Sequence, residues 1–243
     1  MDRFGIGNIG LTGFGIGGFR IPAFGSGSGV SHGNQLHESL VDAWFMSGYA
    51  NGDSPAYIRG VKGNELVLRN FAFTSESGFG EGNYEGGLVF DGIDDHAYVD
   101  NFDTLIDGDE FTTIGYYEVI PQGNKSSYNL YARSTGIGWS RIETPSIKGN
   151  LAGIRNYTVN FTSKTYSYNV QEGESFQIDT GYKSFPKKFN LNGWYSEEAS
   201  GFIELSKVAH YWVAIYKGKL TPEEIETEKA KLENMWDSKL NKS

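Results

Sequence analysis

The sequence predicts an all-β sandwich closed by one amphipathic helix, and three observations carry that expectation. From residue 36 onward the chain breaks into short apolar or alternating runs, each ended by Gly, Asn, Asp or Pro. Turn dipeptides recur between the runs: Asn51-Gly52, Gly63-Asn64, Asp91-Gly92, Asp107-Gly108 and Asn192-Gly193. After Thr221 one stretch changes texture and carries the signals of a helix start. Many short strands with turns at this spacing indicate a sandwich or barrel.

Taken in order, the strand-like runs are 40–46, 65–73, 87–90, 97–99, 111–120, 128–132, 158–161, 166–170, 175–178 and 202–205, and then 208–216, the most apolar of them. Thr221-Pro222-Glu223-Glu224 comes next. Thr serves as N-cap, Pro sits at the first helical position, and Glu three residues after the cap closes a capping box. Ile225, Leu232, Met235, Trp236 and Leu240 then fall on one side, with Glu and Lys elsewhere. This spacing predicts a helix over about 222–239, laid against the sandwich with Trp236 as its anchor.

Residues 1–35 are of another kind. They hold eleven of the chain's 33 glycines and three charges, Asp2, Arg3 and Arg20. Between the glycines stand Phe4, Ile6, Ile9, Leu11, Phe14, Ile16, Phe19, Ile21 and Phe24. Glycine makes such a backbone costly to order, yet the large apolar side chains shun water. No helical or strand period lets the segment bury them within itself. The expectation is a docking arm whose apolar residues are covered by another protein surface, with Ser26-Gly27-Ser28-Gly29 as its hinge. The glycines break every apolar run, which argues against a secretory signal or a membrane-spanning helix. A disordered tail is the competing reading, but such tails are poor in aromatic and branched apolar residues.

The chain has no cysteine, so disulfides, thiolate metal ligands and a cysteine nucleophile are excluded. The expected place of folding is a reducing cytoplasm. The arm carries a net +1 and residues 36–243 a net −10. An acidic body of this kind is repelled by phosphate backbones and by anionic membrane surfaces, so neither nucleic acid nor membrane is an expected partner.

The stretch from Gly87 to Val99, GLVFDGIDDHAYV, resembles the strand and turn of LamG-type, concanavalin A-like jelly-roll domains, which read F-D-G-x-D-D-x-x-x-V. The end of the chain, from Ala209 to Tyr216 and on through KGKLTPEEI to Ile225, is similar to the last strand and helix start of the same domains. The run from Phe111 to Tyr117 sits where those domains have a strand of F-T-I-x-A-W type. With the run from Val61 to Phe73, the arrangement also looks like the lectin-like structural proteins of crAss-like tailed bacteriophages and their gut hosts. The resemblance covers roughly residues 36–240. It implies a concanavalin A-like jelly-roll sandwich at 36–243 behind a docking arm at 1–35. It also implies a virion structural role: a capsid-decorating or head-fibre subunit at the virion surface, assembled in the host cytoplasm. Its partners would then be capsid or other virion proteins and further copies of itself, as a dimer or trimer. The alternative is a carbohydrate-binding, lectin-like module that adheres to host glycans.

For chemistry, the sequence offers few sites. Asp91, Asp94 and Asp95 form the candidate metal cluster, since carboxylates grouped in a turn suit calcium. The structural alternative is that Asp side chains hold the turn through its backbone while Gly92 supplies a permissive angle. The chain is expected to need no cofactor, with calcium the one cation to consider. Glucanases of the concanavalin A-like fold alternate their carboxylates as E-x-D-x-x-E along one strand. No such string exists, and Glu118, Glu143 and Glu204 stand singly. His32 and His37 lack zinc-pair spacing, His210 sits in the most apolar run, and His96 has no nucleophile beside it. The G-x-G-x-x-G matches at Gly5-Gly7-Gly10 and Gly13-Gly15-Gly18 lack the strand and helix a dinucleotide site needs. No enzyme is expected. Sugar stacking is harder to dismiss: Trp139, Trp194 and Tyr195 are the candidate glycan-binding residues, with the two tryptophans flanked by Gly138 and Gly193. Tyr157, Tyr166 and Tyr168, read as lying in or near turns, are weaker members of the same group.

Overall fold

A computed structural model describes residues 35–107, 110–122, 127–134, 139–145, 152–160, 165–168, 177–181, 188–192, 194–196, 201–203 and 205–241. Side chains are described at 35–102, 104–107, 110–122, 188–192 and 205–241. The arm positions from Phe4 to Phe24 lie outside the described residues. The strands and helices all belong to the unit Leu36–Ser243.

The elements run β1 (Leu40–Phe45), β2 (Tyr57–Arg59), β3 (Glu65–Arg69), β4 (Gly78–Phe79), β5 (Leu88–Asp91), β6 (His96–Asp100) and α1 (Phe102–Ile106). Then come β7 (Glu110–Val119), β8 (Ser127–Ser134), β9 (Trp139–Pro145), β10 (Ala152–Asn160), β11 (Thr165–Tyr168) and β12 (Gln177–Gly181). The chain ends with β13 (Lys188–Leu191), β14 (Trp194–Ser196), β15 (Gly201–Ile203), β16 (Lys207–Lys217) and α2 (Pro222–Leu240). The paired strands are antiparallel and make two sheets. Sheet A has the order β11-β10-β7-β16-β5-β4, with β1 also paired to β16, and sheet B has the order β12-β9-β8-β13-β6-β3-β2. β14 and β15 form a separate hairpin. This is the all-β sandwich with a C-terminal helix that the run-and-turn pattern leads one to expect.

β16 organises sheet A. β7 pairs along one of its edges, while β5 takes Lys207 to His210 and β1 takes Trp212 to Tyr216 along the other. A register shift between His210 and Trp212 changes which face each side chain meets. Val208, Val213 and Ile215 face the core between the sheets, and His210 meets the rings of Phe90 and Tyr117 there. Ala209, Tyr211, Trp212, Ala214 and Tyr216 face a second apolar layer on the outside of sheet A. With both faces covered, β16 reads as a continuous apolar run rather than an alternating one. The inter-sheet core is completed from sheet B by Ile58, Leu66, Leu68, Ala97, Val99, Phe189 and Leu191.

The outer layer belongs to α2. Thr221 accepts from the Glu224 amide at 3.2 Å and the Glu224 carboxylate accepts from the Thr221 amide at 2.7 Å, so the capping box forms as read. The anchor differs from expectation. Leu232 is fully buried, whereas Trp236 is half-buried, edge-on to Tyr116 and Tyr211. Trp236 packs partly buried against the outer layer and donates its ring N–H to the Gly86 carbonyl at 3.4 Å. Glu228, which the amphipathic pattern places among the exposed charges, is buried. It accepts from the Tyr216 hydroxyl at 3.0 Å, the His37 amide at 2.8 Å and Lys231 at 2.7 Å. Residues 36–39 are thereby tied to α2. Leu36 joins the outer layer, and the His37 ring reaches Ser39 at 2.8 Å and Glu224 at 3.4 Å.

A second buried carboxylate joins the sheets. Asp42 of β1 accepts from the amides of Ala43, Lys62 and Asn64, each at 2.8 Å, and from the Asn64 side chain at 2.9 Å. The turn between β2 and β3 closes around it, and a Cβ on Gly60 would collide with the carboxylate. The run 65–73 ends as a strand at Arg69, because Asn70 and Phe73 take left-handed angles of φ 66° and 55°.

Candidate functional site

The carboxylates of Asp91, Asp94 and Asp95 do come together, with one oxygen from each within 4.8 Å of the others. Their hydrogen bonds explain why. Asp91 accepts from the Ile93 amide at 2.7 Å and the Asp94 amide at 3.3 Å. Asp95 is buried and accepts from the Ser77 hydroxyl at 3.0 Å and the Asp91 amide at 2.8 Å. Gly92 has φ 77°, and a Cβ there would meet the Gln122 side chain and the Lys207 amide. Calcium takes six to eight oxygens, but both Asp95 oxygens and one of Asp91 are already committed to protein donors. The arrangement is that of a turn held from within. Burial pushes the Asp95 carboxyl up to about 7, partly countered by those two hydrogen bonds.

Of the isolated acids, Glu118 accepts from the Tyr211 hydroxyl at 3.1 Å on the helix side of sheet A. Glu143 lies in β9 opposite Gln177, and Glu204 is outside the described residues. His210 is fully buried, and desolvation lowers it to about 3, so it is a neutral core side chain. Tyr157 sits mid-strand in β10, and Tyr166 and Tyr168 pair with it or beside it from β11. Tyr157 thus lies away from a turn, whereas Tyr166 and Tyr168 lie next to the start and at the end of a four-residue strand.

The chemically richest described surface is the outer face of sheet B. Strand alternation puts Ile58, Leu66, Leu68, Ala97, Val99, Phe189 and Leu191 in the core. The residues between them therefore look outward: Tyr57 and Arg59 of β2, Glu65 and Arg69 of β3, His96, Tyr98 and Asp100 of β6, Lys188 and Asn190 of β13. Tyr98 is the hub. His96 stacks on it at 6.2 Å, the Lys188 ammonium lies 3.4 Å above its ring and the Arg69 guanidinium 5.7 Å away. Cations so placed are held by the ring's quadrupole. Lys188 also pairs with Asp100 at 3.3 Å, and Arg59 with Glu65 at 3.4 Å. Burial lowers the His96 ring, and the positive charges of Arg69 and Lys188 add to the effect. Asn190 pairs with Tyr98 in the ladder and is buried, with its amide oxygen lacking a partner among the described residues. The sequence reading missed this group. Its one signal was the alternation of His96-Ala97-Tyr98-Val99-Asp100, and the partners come from strands far away in the chain.

The three candidate aromatics fall beside the same sheet. Trp139 opens β9 opposite Ser134 of β8 and Gly181 of β12. Trp194 and Tyr195 lie in β14, opposite Ile203 and Phe202, and β14 runs next to β8.

The fold has relatives among solved structures. A mutant of Trypanosoma rangeli sialidase with trans-sialidase activity matches 82% of this chain at 15% identity and a TM-score of 0.51, over 33% of its own length. The binding domain of botulinum neurotoxin serotype D/C matches 79% of this chain at 11% identity and a TM-score of 0.43, over 52% of its length. The chain thus spans about a third of the sialidase it matches, and the likeness is one of fold. No family model and no curated protein matches the sequence.

A separate pocket of about 420 Å³ opens at the rim, lined by Tyr49, Asn51, Phe79, Glu81, Glu85 and Leu240 among others. The Asn51 amide is spent on the Phe79 backbone, at 2.7 and 2.9 Å. No helix among the described residues is long and apolar enough to cross a membrane.

Proposed function

We propose that the sandwich is a carbohydrate-binding module whose ligand lies across the outer face of sheet B. One observation carries this reading. The strands bearing Trp139, Trp194 and Tyr195 both neighbour β8, so the candidate aromatics stand on strands that flank one strand of sheet B. Sugar rings stack on such side chains, and a polar rim fixes their hydroxyls. The sialidase that shares the fold supports a sugar as ligand by analogy alone. Hydrolysis is not part of the proposal, since Glu118 serves the helix side of sheet A. Affinity electrophoresis through gels containing a panel of polysaccharides tests it. At least one polysaccharide should retard the protein, and Trp139→Ala and Trp194→Ala should weaken the apparent affinity about tenfold with the circular dichroism unchanged. No retardation by any polysaccharide, or full retardation of both variants, overturns the reading.

The finer reading is a virion subunit, capsid-decorating or head-fibre, anchored through residues 1–35 and assembled as a dimer or trimer. The apolar, glycine-rich composition of that segment supports it.

A further inference from the structure

The body carries a net −10, yet the described outer face of sheet B gathers Arg59, Arg69 and Lys188. Two of these cations are matched by carboxylates, Arg59 by Glu65 and Lys188 by Asp100. Arg69 is not. Its guanidinium donates to the Leu68 carbonyl at 3.2 Å and leans over Tyr98, and among the described residues no carboxylate lies within ion-pair distance of it. Tyr98, for its part, is only 8% exposed, covered by Lys188 and stacked by His96. It cannot be a platform for a sugar ring. Its role on this face is to hold cations in place, and of the three cations there only Arg69 is left unmatched by the carboxylates Glu65 and Asp100.

These observations fit an anionic ligand better than a neutral one. A guanidinium presents a planar fork that matches a carboxylate or sulfate bidentately, and arginine is less strongly hydrated than lysine, so the exchange of water for ligand costs less. We propose that the outer face of sheet B binds an acidic saccharide, with its carboxylate or sulfate on Arg69 and Lys188 alongside. The inference rests on the carbohydrate-binding reading and names the class of sugar. Because the rest of the body is acidic, general attraction to a polyanion is disfavoured.

The test is affinity electrophoresis of the whole chain at fixed ionic strength through polygalacturonate, dextran sulfate and unsubstituted dextran. The variants are Arg69→Gln and, as a charge-matched control away from sheet B, Lys219→Gln. Arg69 and Lys219 are both exposed, and melting curves confirm that each variant folds. The expected result is retardation by polygalacturonate, dextran sulfate or both but not by dextran, weakened about tenfold or more in Arg69→Gln and unchanged in Lys219→Gln. Which polymer binds separates carboxylate from sulfate. Retardation by dextran alone, or by none of the three polymers, overturns the inference, and the carbohydrate reading then stands or falls on the wider panel. Equal weakening in the two variants, or full displacement by millimolar acetate or sulfate, also overturns it, as overall charge or a simple ion site.

Discussion

Asp95 and His210 are buried ionisable side chains that the fold holds toward their neutral forms, and they pull stability in opposite directions with pH. Asp95 is raised to about 7, so the folded chain keeps a proton there that the unfolded chain releases near 4. Its contribution is greatest in acid and falls as pH rises from about 4 to about 7. His210 is lowered to about 3, so the unfolded chain takes up a proton near 6.5 that the folded chain refuses. Its contribution is present above that value and is lost as pH falls toward 3. Melting temperatures at pH 4, 5, 6 and 7 separate the two. Relative to the unaltered chain, Asp95→Asn should gain as pH rises across this window, and His210→Gln should gain as pH falls. A difference that stays constant with pH for either variant would remove the assigned cause. In sequence, Asp95 read as a candidate metal ligand. The cluster was visible, but the amide of Asp91 and the hydroxyl of Ser77 that occupy its oxygens were not.

At the scale of elements, α2 shows how far local rules reach. The capping box and proline fixed where the helix starts, because those contacts lie within four residues of one another. The residue that anchors the helix depends instead on the shape of sheet A, and Leu232 holds the buried place rather than Trp236. Two substitutions grade these contributions. Leu232→Ala should cost about 2–5 kcal/mol through the cavity it leaves, and Thr221→Ala about 1 kcal/mol through the lost cap. Chemical denaturation should rank them in that order, and equal losses would mean that the helix end, not its packing, holds it down. The strands divide along the same line. β16 and β7 were legible as long apolar runs, and the turn dipeptides such as Asn51-Gly52 and Asn192-Gly193 fall at element boundaries. β2, β4 and β14, with two or three residues each, carry too little periodicity to read. The Tyr98 group was illegible for a related reason: β3, β6 and β13 become neighbours only through sheet pairing, with Arg69 and Lys188 more than a hundred positions apart.

On the proposed readings the whole molecule divides its work, with residues 1–35 attaching it and the sandwich holding the ligand. His37 marks where the body begins. Its amide serves buried Glu228 and its ring reaches Glu224, so these contacts tie the start of the body to α2. A fragment starting at Gln35 should therefore melt within about 2 °C of the full chain. One starting at Leu40 strips Glu228 of a donor and should lose about 1.5–3 kcal/mol, or about 4–10 °C. The Gln35 fragment then isolates the proposed anchor without disturbing the sandwich. Offered to particles that lack this protein and counted after sedimentation, the full chain should bind while the fragment stays in solution. Affinity electrophoresis should retard both alike, since the sheet B face is intact in each. Equal sedimentation of the two would show that residues 1–35 are no anchor, and the contact with the particle would have to be sought on the sandwich itself.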